Sequence, residues 1–512
     1  MDNKEKLGIS QGLKLLAKSS VIVFIGLFLS KVLFYFYRFI IARSLGAEVY
    51  GLFSIAIIIL LLVTSFFSAG INQGILRFIP LYSVKKEKVK YLFRFLLISL
   101  IISSIIGGFL LFLLSNIISE GIFHNPGLVI FLKIFIFLIP IYILSDFFLA
   151  IIRAYQEISW YSFIYNILQN VVKVILLLVL IYFGFKTNSV IYSYLIGVLI
   201  MLIVAYLFCR YKFKELFKSS KIKEKEKAVI KREFFSYTWP VMFFGLLNII
   251  LYWTDSFFIG YFKGALEVGF YNAAVPLAAL MGFAPEIFMQ LFFPLITREF
   301  SKENLVTIKE ISKQVVKWIF IINLPFFILL ILFPGAFINI LFGKEYIIAE
   351  NALRILAIGA FISSITASVS ENLIFMTGKS KLLLLNLVFI SIFSVVLNVF
   401  LIPLYGLNGA AISSTIVHLT LGIILLIQIK YYLGVIPLRR KMLKILIVSL
   451  VPTLMLLYVR KVVEINFLSL ILLGSLFILF YLFLIFVTGC FDKNDFMIIG
   501  SIKNKLSKNK LN

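Results

Sequence analysis

An all-α polytopic membrane protein with fourteen transmembrane helices is the fold class this sequence predicts, and three observations predict it. Of the 512 residues, 62% are hydrophobic and only 14% charged, a balance outside that of ordinary soluble domains. Apolar runs of about 20 residues, the length a helix needs to cross roughly 30 Å of hydrocarbon, recur along the whole chain. Those runs are unbroken Ile, Leu and Phe, unlike the ~10-residue alternating segments of a transmembrane barrel.

The spans are predicted at 19–42, 49–71, 91–117, 127–151, 160–184, 188–209, 234–261, 269–297, 314–340, 350–376, 381–404, 408–432, 441–459 and 465–488. The first run is too long for a signal-peptide core and reads as a retained span. When cations at span ends are assigned to the adjoining loop, 36 of the 49 Lys and Arg fall on the side of the N-terminus, six on the opposite side and seven within spans. This bias predicts a cell (cytoplasmic) membrane location with both termini cytoplasmic, and one missed helix would scramble it. The net charge of +26 is thereby loop charge. It speaks for topology and attraction to anionic membrane lipids rather than for nucleic acid. Cys209 and Cys490 form no CxxC pair, so no disulfide, metal site or cofactor is expected.

The connection 210–233, "RYKFKELFKSSKIKEKEKAVIKRE", holds ten cations and reads as a basic cytoplasmic linker between a six-helix lobe at 1–209 and a second at 234–432. Residues 433–512 add two helices and a basic tail. Sliding the sequence by 218 residues supports two lobes, because "FIIARSLGAEVYGLFSIA" (39–56) then aligns with "FFIGYFKGALEVGFYNAA" (257–274) without a gap. Six positions coincide, among them Gly46 with Gly264, Ala47 with Ala265 and Gly51 with Gly269. An even-numbered unit returns the chain to the side it left. The repeats are therefore parallel, a transporter pattern with the substrate site expected at the repeat interface.

Charges inside spans are the candidate functional residues, since a cation at the bilayer centre costs roughly 2.5–3.5 kcal/mol and is kept where it faces protein or water. Lys31 lies mid-span and Arg38 follows seven residues later, which places the two about 20° apart on one helix face. Tyr35 lies on the same stripe. The stripe either faces a cavity, where two cations suit a diphosphate, or forms a buried structural ion pair. Arg94, Lys317 and Arg354 lie near span ends, where long side chains snorkel to the head groups. Lys173 is expected to pair with Asp146 inside the first lobe.

The stretch "SKVLFYFYRFIIARSLGAEVYGLFSIA", with "FSAGINQGILRFIP" (67–80), "GALEVGFYNAAVPL" (264–277) and "LIPLYGLNGAAISST" (401–415), resembles the oligosaccharide and polysaccharide flippases of the multidrug/oligosaccharidyl-lipid/polysaccharide exporter superfamily. The resemblance implies two six-helix lobes in a V around a central cavity. Alternating access would carry a lipid-linked oligosaccharide to the outer leaflet, and the last two helices would help accommodate the lipid tail. In peptidoglycan-precursor flippases, cavity arginines are associated with the substrate pyrophosphate. Lys31, Arg38 and Arg77 fall on matching segments.

On the opposing lobe, Asp255 occupies the repeat position of Tyr37, next to that of Arg38, and is read as a gate partner for Arg38 or as a permanent stabilising pair. Glu286, one turn before Gln290, is read as a carrier of a coupling cation or proton. A cation-coupled multidrug exporter of the same superfamily is the alternative, disfavoured by the cationic excess of the candidate cavity. No P-loop, zinc motif or nucleophile elbow is present in the sequence, so the expectation is a monomeric transporter and not an enzyme.

Overall fold

The computed structural model describes residues 3–302, 304–462 and 466–491, with side chains from residue 28 onward other than those of 290, 291, 294, 295 and 298. All the regular structure among the described residues is helical. Twelve helices are long and apolar enough to cross a bilayer. Two of them, Asn3–Phe67 and Ser380–Leu433, each hold two spans that meet at a glycine of non-helical backbone, Gly46 and Gly406. The predicted fourteen spans are all present.

Gly46 shows why the shared glycines matter. Its φ of 85° and ψ of 172° break the helix between spans one and two, and Gly264, its repeat partner, ends span seven at φ 87° and ψ 175°. A side chain at such a positive φ is strained, whereas glycine adopts it freely. The two repeats thus turn at the same residue type in the same conformation.

Helices extend further into the connections than hydrophobicity alone predicts. After a turn at Ser68–Gly70 the chain re-enters a helix at Ile71–Leu81, in a stretch expected as loop. Its buried Ile71, Ile75, Phe78 and Ile79 recur at helical spacing and give that segment an apolar face. The linker is also partly helical: Thr187–Lys212 runs into it, Lys214–Phe217 forms a 3-10 turn and Glu224–Lys263 begins inside it. Span eight is divided into Ala265–Ala279, a 3-10 turn Leu280–Gly282 and Phe283–Phe300. Pro276 and Pro285 flank the division, and each removes a helical N–H donor.

Packing groups the chain into residues 1–272 with 395–407, and residues 273–394 with 408–512. Span seven therefore packs inside the first unit, on the far side of the linker from the six spans it joins. In that unit the repeat glycines meet. A Cβ added to Gly51 would lie 1.7 Å from the Ala265 carbonyl oxygen, and one added to Gly269 would lie 2.0 Å from that of Ala47. Ala47 and Gly51 are the repeat positions of Ala265 and Gly269, so the contact is reciprocal: each repeat's glycine accepts the other's alanine carbonyl at backbone distance. The Tyr50 hydroxyl donates to the Asn272 carbonyl at 2.9 Å beside it.

In the second unit the centre is span nine, Leu305–Leu332. Asn323 Nδ2 donates to the Met281 carbonyl (2.8 Å) and to Ser364 Oγ (2.9 Å), tying spans eight and ten to it. The terminal pair, Lys441–Val462 and Phe467–Val487, attaches to the same helix. Tyr481 donates to the Ile321 carbonyl at 3.1 Å, and Arg439 Nη1 donates to Gln314 Oε1 at 2.5 Å. Lys317 also belongs here, and it corrects an expectation: it does not snorkel but is fully buried. Its helix starts at Leu305, nine residues before the predicted span, which moves position 317 into the packed interior.

Candidate functional site

Arg38 is the deepest cation of the first span, with only 5% of its surface exposed. Its guanidinium lies 4.5 Å from the ring centroid of Phe34, one turn earlier on the same face, and 5.7 Å from that of Trp253 on span seven. Such cation–π contacts contribute about 2 kcal/mol when desolvated. The Tyr50 hydroxyl lies beside it. Its buried Nε has no hydrogen-bond partner, and among the described residues no carboxylate lies within ion-pair distance of the guanidinium. Lys31 and Tyr35 are half-buried on the same helix, and the Tyr35 ring stacks on Phe39 at 6.5 Å.

The pair considered between Arg38 and Asp255 is not made. Asp255 Oδ2 accepts from the Tyr271 hydroxyl at 2.7 Å, and Oδ1 accepts from Asn398 Nδ2 at 2.8 Å. Residues two apart on a helix point about 200° apart. With Trp253 turned to Arg38, Asp255 is turned away from it toward span eleven. Asn272 extends this polar group by donating to Ser256 Oγ at 3.1 Å.

Arg77 is likewise apart from the Lys31–Arg38 stripe. It lies exposed on Ile71–Leu81, with its guanidinium 4.3 Å from the Tyr237 ring centroid. Tyr237 and Trp253 are 16 residues apart on span seven, which is about 24 Å along a helix, so the two arginines mark different depths. Glu286 lies in the second packing unit, half-buried in the first turn of Phe283–Phe300, where the helix dipole favours an acid. The Gln290 side chain lies outside the described residues.

Lys173 differs from expectation as well. Its Nζ donates to Gln169 Oε1, one turn away, at 3.0 Å and sits 3.9 Å from the Tyr194 ring centroid. Among the described residues it makes no ion pair with Asp146. Arg354 does behave as a span-end residue, with Asn351 at 2.6 Å and Glu350 at 3.6 Å.

Four of the groups that complete the site, Phe34, Trp253, Tyr271 and Asn398, are not among the residues singled out from sequence. Asn398 could have been found as a polar residue in the middle of span eleven. The aromatic groups carry no such signal in a chain with 56 Phe and 24 Tyr.

Residues 16–299 match the profile of the family described as "Polysaccharide biosynthesis protein". The chain belongs to that family. It lies within the multidrug/oligosaccharidyl-lipid/polysaccharide exporter superfamily. A putative O-antigen transporter of Shigella flexneri is 26% identical to this family member over 385 residues, covering 73% of the chain and 88% of the relative. An uncharacterized membrane protein of Methanocaldococcus jannaschii is 24% identical over 495 residues, covering 94% and 96%. Among solved structures, a lipid II flippase MurJ in an inward closed conformation superposes with a TM-score of 0.69 at 18% identity, covering 90% of this chain and 98% of its own. An inward-facing multidrug resistance transporter of the MATE family gives 0.62 at 14% identity, covering 79% and 94%. These two likenesses show a shared fold.

Proposed function

We propose that this member of the polysaccharide biosynthesis family is a flippase that moves a lipid-diphosphate-linked oligosaccharide from the cytoplasmic to the outer leaflet by alternating access. The product would serve surface polysaccharide or glycan assembly. The observation that carries the reading is Arg38: a buried guanidinium without a carboxylate partner is a receptor for an anion that comes and goes. Lys31, two turns away on the stripe, adds the second charge that a diphosphate needs in low-dielectric surroundings. Arg77, at another depth, contacts the substrate at a different stage of the passage. An organic-cation exporter would gain nothing from an unpaired arginine at this place.

The relatives' descriptions support the reading. They include the O-antigen transporter and, over 53% of this chain, a probable flippase of Haloferax volcanii. The test is resolved by leaflet. Deleting the gene is expected to leave lipid-linked glycan accumulating on the cytoplasmic face, with loss of surface glycan. Normal surface glycan together with drug sensitivity would transfer the assignment to the multidrug class.

Asp255, held by Tyr271 and Asn398, is the group we assign to ion coupling or gating, with Glu286 as a second carboxylate. Replacing Tyr271 with Phe removes the hydroxyl that donates to Asp255 and is expected to shift the dependence of transport on pH or cation gradient. Transport in proteoliposomes with imposed gradients reads this. An unchanged gradient response would make Asp255 structural.

A further inference from the structure

At the basic end of span six the chain forms an open cleft of roughly 630 Å³, lined by Leu207, Arg210, Tyr211, Lys214, Phe217 and Lys218. Its floor is held in place: the Phe217 ring packs 4.9 Å from Phe93 and 6.0 Å from Tyr206, and neighbouring Leu216 is buried. Its cations are of two kinds. Lys218 is engaged by Glu215 at 2.5 Å. Arg210 lies 5.2 Å from the Phe217 ring centroid and Lys214 lies 5.6 Å from that of Tyr211, and among the described residues neither has a carboxylate partner.

The apolar wall continues out of the cleft along the helix. Ile203, Leu207 and Tyr211 are 45%, 55% and 78% exposed, and their spacing of four stacks them on one face. In a membrane span such a face lies against acyl chains. An apolar strip that descends into two cations with no carboxylate partner among the described residues matches an amphiphile with a negative head.

We propose that this cleft binds the headgroup of an anionic glycerophospholipid. The phosphodiester sits between Arg210 and Lys214, the glycerol backbone lies against Tyr211, and a chain runs along Leu207 and Ile203. This site is separate from the Lys31–Arg38 stripe and does not rest on the transport reading.

The test is native mass spectrometry of the full chain titrated with phosphatidylglycerol or, in parallel, phosphatidylcholine. Phosphatidylglycerol is expected to bind about tenfold more tightly, and the R210Q/K214Q variant to lose that preference. The charge-matched variant K223Q/K225Q, altered at exposed linker lysines, is expected to keep it. Equal binding of the two lipids would overturn the proposal. So would an equal loss in the linker variant, which would make the attraction diffuse. A copurified polyprenyl diphosphate that phosphatidylglycerol fails to displace from the wild type, but that R210Q/K214Q lacks, would overturn it in favour of a substrate entry site.

Discussion

Replacing Gly51 or Gly269 with alanine is expected to destabilise the protein by about 3 kcal/mol or more, at the upper end of what overpacking costs. Each added methyl would fall far inside van der Waals contact with a backbone carbonyl oxygen, at 1.7 Å and 2.0 Å respectively. The neighbours are main chain, so no side-chain rotamer can relieve the overlap, and the two turns must move apart. Moving them stretches the Tyr50–Asn272 hydrogen bond, which lies beside the contact. Because the two contacts are related by the repeat, the two variants should lose similar amounts. Gly282→Ala is the control, since a Cβ there meets nothing within 4 Å. Thermal unfolding of the purified variants in detergent measures all three. A Gly51→Ala protein that melts like wild type would show that the close approach is not maintained in the membrane protein.

Replacing Arg38 with glutamine is expected to reduce transport by about 100-fold or more while changing stability little, because relief of a desolvated charge offsets the loss of its cation–π contacts, about 2 kcal/mol. The two halves of this expectation have one cause. Removing one partner of a buried ion pair leaves an uncompensated charge and costs about 3–5 kcal/mol. Arg38 has no such partner among the described residues, and its Nε is unsatisfied, so its removal orphans no carboxylate and relieves a desolvated charge. The lost transport reports the anion it would have met, since truncating one member of a buried charge pair costs about 2–5 kcal/mol of binding. Arg38→Lys is expected to recover part of the activity, because it keeps the charge and loses the fork. Transport assayed beside melting temperature decides the matter. If glutamine lowers both together, Arg38 is a structural residue and the anion site lies elsewhere.

The stripe itself was legible in the sequence, because Lys31, Tyr35 and Arg38 share one helix and seven residues return almost to the same face. The polar group around Asp255 was not. Placing Asp255 opposite Arg38 assumed that repeat-equivalent residues face each other. Trp253 in fact occupies that direction, and a difference of two residues reverses the direction of a side chain. Arg77 falls with the stripe on family-like segments, but depth in a folded chain depends on which helix a segment packs against. Here that partner is the Tyr237 end of span seven. Opposite charge points Lys173 to Asp146, whereas its hydrogen-bond acceptor is its own helical neighbour Gln169.

The sequence by itself determined the membrane class, the fourteen spans, the charge bias of the loops and the repeat whose glycines turn alike at Gly46 and Gly264. Each of these is local, set by hydrophobic length, by loop composition or by the freedom of one glycine. The tertiary structure alone decided which residues meet: the reciprocal approach of Gly51 and Gly269 to Ala265 and Ala47, the aromatic enclosure of Arg38, the Tyr271–Asp255–Asn398 group and the burial of Lys317. Contacts between helices depend on the rotation and depth of each helix relative to its neighbours. An apolar helix surface constrains both weakly, because one lipid-compatible face is nearly as good as another until backbones approach closely enough to exclude every residue but glycine.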